Sequence, residues 1–476
     1  MDKFYQLVES NRDYYIKSLS EAVAIQSVSS DPSRRDDTIR MMSFAAEHLQ
    51  RVGATDITLH PNPAGLQKQA DGSTLPLPPI LTACYGKDPS KRTICVYGHL
   101  DVQPASKSDG WETDPFVLTE KDGKLYGRGS TDDKGPVLSW IHLIDGYKTL
   151  GKELPVNLKF LLEGMEESGS EGLELFCQQQ SKAKGGFLDN VFASCISDNY
   201  FLGSTKPCVT YGLRGICYFT LEVRCSSKDL HSGVYGGPVR EAMVDLVHIL
   251  GTLNNSDGSI AVQGILDAVR PVTEAEEKSY ETIDFNPEEF KKEINAKALR
   301  FDTKAEVLKS RWRNPTLSVH GIEGAWSGVG AKTVIPARTV GKFSLRIVPD
   351  MEPIEVEKLI AEHVEREWIK LKSPNEYKLE SIHGAKAWLS PFDSPNYAAA
   401  RSAVKKVYGT EPDLTREGGS IPFTLWLQDA TESSVLLLPI GACDDSAHST
   451  NEKFNISNML YGVKVLATYL EEVATV

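Results

Sequence analysis

His99 and Asp101 stand two residues apart in Cys95-Val96-Tyr97-Gly98-His99-Leu100-Asp101, directly after a short apolar run. Extended backbone would put both side chains on one side. An imidazole with a carboxylate beside it is a usual way to orient a metal ligand. A strand-end histidine bonded to a loop aspartate reads the same way. Other polar groups occupy comparable places. Asp132-Asp133 follows a Gly-rich loop and precedes an apolar helix, where one of the pair suits an N-cap. Glu166-Glu167 precedes Ser168-Gly169-Ser170. It is either a solvated turn or a working pair, because adjacent like charges gain nothing structurally. On extended backbone they would face opposite ways, leaving one for a metal and the other free as a base. Asp198 ends an apolar run, and His448 lies in the polar stretch Asp444-Asp445-Ser446-Ala447-His448-Ser449. Together, two histidines and three or four carboxylates with no thiolate in the pattern suit a pair of divalent ions bridged by a carboxylate. Such a site activates water and polarises a carbonyl, so the chemistry is hydrolysis.

The elements that must hold these groups alternate between strand and helix. The spacing predicts helices over 3–27 and 36–52, strands at 80–85 and 93–98, a helix over 137–149, a strand at 156–162, a helix near 171–180 and a strand at 191–196. A Pro- and Gly-rich loop covers 61–79. This order argues for an open α/β sheet, where ligands collect beyond the carboxyl ends of the strands. His99, Asp132, Glu166, Glu167 and Asp198 fall there. The texture changes near 208. An alternating strand at 216–225, a helix at 238–253, strands at 316–320 and 340–348 and a helix at 353–371 read as a second, smaller α+β unit inserted into the first. A helix at 395–408, a loop at 415–422, a strand at 434–439 and a helix at 456–473 complete the first unit. Residues 254–312 carry no chemical signal.

At 476 residues the chain is too long for one small core. A net charge of −13 disfavours nucleic acid and anionic membranes as partners. No apolar run is long enough to span a bilayer, and the start of the chain has no secretory pattern. The eight cysteines include no CxxC pair and read as reduced, mostly buried thiols of a cytoplasmic protein. Two sequences imitate other sites. Gly328-Val329-Gly330-Ala331-Lys332-Thr333 lacks the Gly-Lys-Thr of a phosphate loop, and Gly418-Gly419-Ser420 is not a nucleophile elbow.

Gly98-His99-Leu100-Asp101-Val102-Gln103-Pro104, Gly127-Arg128-Gly129 with Thr131-Asp132-Asp133-Lys134-Gly135, the stretch from Glu163 to Ser170, and Ser197-Asp198-Asn199 together resemble the M20 family of metallopeptidases. The likeness extends through Lys228-Asp229-Leu230-His231-Ser232-Gly233, Arg311-Trp312-Arg313 and Thr415-Arg416-Glu417-Gly418-Gly419-Ser420. It implies an open-sheet di-metal hydrolase domain, residues 1–212 and 391–476, with an inserted α+β lid and dimerisation domain, residues 213–390. It implies two divalent ions per subunit, Zn²⁺ or Mn²⁺. Asp132 would bridge them, His99 and Asp198 would complete one ion, and Glu167 and His448 the other. Glu166 would be the general base, with Asp101 bracing the His99 imidazole. His231 would reach the partner's site in a homodimer and stabilise the oxyanion. Thr333, Arg346 and Ser420 would bind substrate, with Arg346 on its carboxylate.

Aspartate rather than glutamate at 198 resembles the dipeptidase and aminopeptidase branches more than the acylase and carboxypeptidase ones. The resemblance therefore implies hydrolysis of free dipeptides, Cys-Gly and other Xaa-Gly types among them. It also points to glutathione degradation, and leaves open whether a partner in a glutathione-degrading complex recruits larger thiol peptides. Ser446 departs from the glycine the resemblance leads one to expect between Asp445 and Ala447. The rivals are an aminoacylase with the same metals and a non-catalytic binding subunit. Retention of Glu166 beside Glu167 speaks against the latter.

Overall fold

The computed structural model describes residues 1–69 and 72–476; Ala70 and Asp71, within the expected 61–79 loop, lie outside them. Among the described residues the larger sheet runs in the order Thr55–His60, Ile80–Tyr85, Asn157–Glu163, Thr93–His99, Ala193–Ile196, Ser434–Leu437, Cys208–Leu213, with Trp388–Leu389 and Asp413–Glu417 both beside Cys208–Leu213. The four strands Asn157–Glu163, Thr93–His99, Ala193–Ile196 and Ser434–Leu437 are parallel. Their carboxyl ends therefore share one edge, and His99, Glu166, Glu167 and Asp198 lie at the ends of three of them.

Both faces of this sheet are covered, which accounts for continuous apolar runs in place of alternation. Along Thr93–His99, Ile94 and Val96 join one core with the helices Arg35–Val52, Lys134–Thr149, Pro395–Tyr408 and Ile456–Val473. Cys95 and Tyr97 point into the other core, with the helices Leu173–Gln179 and Phe423–Thr431. Val137, Leu143 and Ile144 of Lys134–Thr149 are buried in the first core, so the helix that follows Asp132-Asp133 is fixed along its length.

The second sheet is antiparallel, in the order Thr316–Glu323, Arg338–Ile347, Gly215–Arg224, Glu376–Ala385. Gly215–Arg224 alternates as a one-faced strand should: Cys217, Phe219, Leu221 and Val223 are buried with Leu246, Ile249, Val356 and Ile360 of the helices Ala242–Gly251 and Pro353–Leu371.

Several expectations need correction. The single helix over 3–27 is two, Asp2–Ser10 and Arg12–Val23, broken at Asn11 where ψ opens to 8°. Residues 254–312, which carried no chemical signal, hold the helices Glu274–Thr282, Pro287–Glu293 and Lys304–Trp312, each capped by a side chain of Thr273, Asn286 or Thr303. Tyr280, Ile283, Leu308 and Trp312 pack on Phe201, Leu202 and Cys208 of the first unit. Glu376–Ala385, for which the sequence offered no expectation, is an edge strand whose Lys, Glu and His residues carry a weak apolar pattern. Phe423–Thr431 is a helix beyond the expected loop. No helix of the described residues is long and apolar enough to cross a membrane. Five of the eight cysteines, Cys95, Cys177, Cys195, Cys208 and Cys217, are buried.

Candidate metal centre and substrate contacts

His99 is the last residue of its strand, and its side chain is 1% exposed. Its Nδ1 lies 3.0 Å from the carbonyl oxygen of Asp101 and 3.5 Å from that residue's Oδ1. Its Nε2 looks the other way, 3.0 Å from Asp132 Oδ1 and 3.6 Å from Asp198 Oδ1. The strand stops before Asp101, yet His99 and Asp101 still meet on one side as the spacing required. Asp132 is shared: its Oδ2 lies 3.0 Å from His448 Nε2. The same His448 nitrogen lies 3.0 Å from Glu167 Oε2. His99, Asp132, Glu167, Asp198 and His448 thus come together from five separate segments.

Glu166 and Glu167 do not diverge on extended backbone. They open a 3₁₀ turn, Glu166–Ser168, closed by Gly169 at φ +91°. Their two N–H groups donate to one carboxylate, Glu166 N to Asp101 Oδ1 at 3.1 Å and Glu167 N to Asp101 Oδ2 at 3.0 Å. Asp101 therefore holds the His99 ring and the glutamate turn at once. Gln103, which sequence reasoning left without a role, donates to Glu167 Oε2 at 2.8 Å.

Asp133 also needs correction. It precedes the helix Lys134–Thr149, but its side chain makes no cap bond. Its Oδ2 accepts the N–H of His99 at 3.2 Å, and its Oδ1 has no partner although buried. Two groups of ligand atoms lie within 4.8 Å of one another, His99, Asp132 and Glu167 in one, His99, Asp133 and Asp198 in the other. The adjacency of Asp133 to Asp132 was the available signal, set aside because capping explained it.

The electrostatics suit added cations. Burial, then the charges of Asp198, Glu167 and Asp101 against the opposing pull of His99, hold Glu166 well above the usual carboxylate range. Burial and the Asp132 charge raise Glu167, and burial and Asp198 raise Asp133. Burial pulls His99 down, but the charge of Asp198 and bonds to Asp101, Asp132 and Asp198 override it and hold the imidazole well above its usual value. Hydrogen bonds to Asp132 and Glu167 lift His448 to about 11. Two imidazoles cannot neutralise the buried carboxylates around them. An all-oxygen-and-nitrogen donor set with an orphaned buried oxygen fits hard or borderline divalent ions.

The substrate candidates fall into two places. Arg346 Nη1 donates to Ser420 Oγ at 2.7 Å, joining the second sheet to the loop after Asp413–Glu417. Arg214, unnamed by sequence reasoning, completes this corner: Ser420 Oγ donates to its carbonyl oxygen, and its Nε donates to Gly418 O at 3.0 Å. Its guanidinium is brought down to about 10, by burial first and then by Arg346 and Arg311. His231 and Thr333 lie elsewhere, on an exposed ribbon where Ser232 N donates to Thr333 O at 3.1 Å. Among the described residues no hydrogen bond or ion pair links either to the carboxylate cluster. The 328–333 stretch is an exposed connection between strands. Ser446 has φ +59°, the left-handed conformation in which glycine would be unstrained, so the expected glycine has a backbone reason.

Residues 95–472 match the family model "Peptidase family M20/M25/M40". The chain is 46% identical to the Cys-Gly metallodipeptidase dug1 of Schizosaccharomyces pombe, covering all of this chain and 99% of that one. It is also 46% identical to the Beta-Ala-His dipeptidase of Rattus norvegicus, over all of this chain and 96% of that one. A solved structure of the dipeptidase Dug1p from Saccharomyces cerevisiae superposes with a TM-score of 0.94 at 45% identity, covering all of this chain and 98% of that chain. On these matches the chain belongs to peptidase family M20/M25/M40.

Proposed function

We propose that this chain is a metal-dependent dipeptidase that hydrolyses free dipeptides, Cys-Gly and other Xaa-Gly types among them. The observation that carries the reading is the convergence of His99, Asp132, Glu167, Asp198 and His448 beside Glu166, in a chain 46% identical along its length to metallodipeptidases. In this reading two divalent ions, Zn²⁺ or Mn²⁺, are held per subunit, with Asp132 between them. His99 and Asp198 serve one and Glu167 and His448 the other. Bound there, such ions would polarise the scissile carbonyl and lower the pKa of a water towards neutrality.

The chain's own groups do the rest. Asp101 fixes the turn that presents Glu166. Glu166 takes the proton of the attacking water and hands it to the leaving amine. Arg346 binds the terminal carboxylate through its planar fork and so limits the length of the substrate. Ser420 and Arg214 hold that corner in place. Residues 1–212 and 391–476 form the catalytic domain, and residues 213–390 form the lid and dimerisation domain. His231, exposed and apart from the cluster in its own subunit, serves the site of a partner in a homodimer, where it stabilises the oxyanion, and Thr333 binds substrate. The reading includes a cytoplasmic place and a role in glutathione degradation, supported by the buried thiols and the Cys-Gly relatives.

Prolonged chelation should abolish hydrolysis of free dipeptides, and Mn²⁺ or Zn²⁺ should restore it. N-acetyl amino acids should be poor substrates. Active protein with only trace metal, or faster turnover of N-acetyl amino acids, would reverse the reading.

A further inference from the structure

The sequence Gly127-Arg128-Gly129 takes no part in the chemistry above, yet it encloses a buried ion pair. The side chains of Arg128 and Glu452 are 3% and 0% exposed, and Arg128 Nη1 donates to Glu452 Oε2 at 2.7 Å. Gly129 N donates to the same oxygen at 2.9 Å. Thr131 N and Asp132 N donate to Oε1 at 3.0 and 3.2 Å. The loop that carries Asp132 therefore wraps the Glu452 carboxylate as a nest of amides wraps an anion. Gly129 sits at φ +83°, which its lack of a side chain permits.

The same contacts reach the loop that carries His448. Arg128 Nη2 donates to Ser449 O at 2.9 Å, one residue beyond His448. Gly127 N donates to Glu452 O at 3.0 Å. Thr131 Oγ1 donates to Asp445 Oδ2 at 2.9 Å, and Lys453 Nζ donates to Asp445 Oδ1 at 2.6 Å. Ser446, His448 and Asn451 all have φ near +60°, a conformation that L-residues hold only when their surroundings fix it. The His448 side chain is 55% exposed, so packing alone does not fix it.

We propose that Arg128 and Glu452 are positioning residues that set the spacing between Asp132 and His448, and thereby the affinity for the ion these two share. The proposal rests on the reading of Asp132 and His448 as ligands. A pair that only stabilised the fold would lower the melting temperature and leave metal affinity unchanged in the folded protein.

Chelated protein is titrated with Mn²⁺, with binding followed by calorimetry and electron paramagnetic resonance. Glu452→Gln keeps the shape of the side chain but removes the charge facing Arg128. Arg128→Lys keeps the charge but loses the fork that reaches both Glu452 and Ser449. In each, the Mn²⁺ step that His448→Ala also weakens should lose about 10- to 100-fold in affinity, the range seen when a ligand's supporting partner is removed. The other step should change less. Saturating Mn²⁺ should bring kcat back towards wild type with KM unaltered. If Glu452→Gln does not fold, Arg128→Lys decides the matter. Isotherms of the folded variants that overlay wild type would overturn the proposal. His448→Ala is run beside them: if it too leaves both steps unchanged, the ligand reading itself fails and the proposal falls with it.

Discussion

Asp132 Oδ2 lies 3.0 Å from His448 Nε2, while the other oxygen of the same carboxylate lies 3.0 Å from His99 Nε2. One side chain thus faces both histidines of the cluster. Burial works against its charge, but hydrogen bonds to His448 and His99 prevail and hold its pKa below the usual range. Asp132→Asn should therefore remove both ions, whereas His448→Ala should remove only the one held with Glu167. Metal analysis of the two variants after gel filtration checks this. Equal stoichiometry in both would show that Asp132 is not shared.

The two neighbouring glutamates should separate by role. Glu166→Gln should retain its metals and lose the base, so kcat should fall by at least the 10²- to 10⁴-fold typical of general base catalysis. Glu167→Gln should weaken metal occupancy, since Glu167 Oε2 is 3.0 Å from His448. Loss of metal from Glu166→Gln, with its rate restored on resupply, would reverse the two roles.

Much of this site was legible because strands that end in polar residues write their function at their carboxyl ends. His99, Glu166, Glu167 and Asp198 each follow an apolar run, and the parallel pairing of three of those runs puts them on one edge. Asp133 and Glu452 were not legible. Asp133 follows a loop and precedes a helix, where capping is the ordinary explanation, and only the approach of the strand Thr93–His99 shows its bond to His99 N. Glu452 is far from Arg128 in sequence, and a lone glutamate before an apolar helix gives no sign that it is buried. The helices in 254–312 were obscured for a third reason. They are short and charged, and their apolar contacts lie on another part of the chain.

Arg346 should discriminate substrates by their terminal carboxylate. Arg346→Ala should reduce kcat/KM for free dipeptides far more than for C-terminally amidated ones. The Arg346–Ser420 bond predicts a smaller effect in the same direction for Ser420→Ala. Losses of equal size on acid and amide would place the carboxylate elsewhere.

Stability should fall with acid through two buried histidines that are not part of the carboxylate cluster. His142 is 2% exposed with its ring stacked 4.2 Å from that of Tyr15. Burial brings His142 down to about 3 and His48 to about 4. Each folded-state value lies below the usual one, so below pH of about 6.5 the unfolded chain takes up protons that the folded chain refuses. The stabilisation is complete above that pH and is lost as pH falls towards the folded values, at up to about 1.4 kcal/mol per pH unit for each histidine. His142→Phe keeps an aromatic ring against Tyr15 and removes the titration. Urea midpoints of chelated protein between pH 7.5 and 4.5 should fall less steeply in His142→Phe than in wild type. Parallel curves would show that His142 is not held neutral.

His231 should act across a dimer. It lies exposed on the ribbon Leu230–His231, paired with Val334, and its Nδ1 accepts the N–H of Gly233 at 3.0 Å. Among the described residues its side chain makes no other hydrogen bond or ion pair, and none to the carboxylate cluster of its own subunit. In a two-fold dimer each subunit would lend its histidine to the other. Glu166→Ala and His231→Ala should each be nearly inactive alone. In a mixed dimer, the His231→Ala subunit keeps its own Glu166 and receives His231 from the Glu166→Ala partner, so one of the two sites is complete. Equal statistical mixing makes half of the dimers mixed, and activity should return to roughly a quarter of wild type. Two affinity tags purified in succession verify that subunits have exchanged. Verified mixed dimers with no gain over the two parents would confine His231 to its own chain. A gain well above a quarter would mean that one of the parents was not inactive to begin with, which the parental assays read directly.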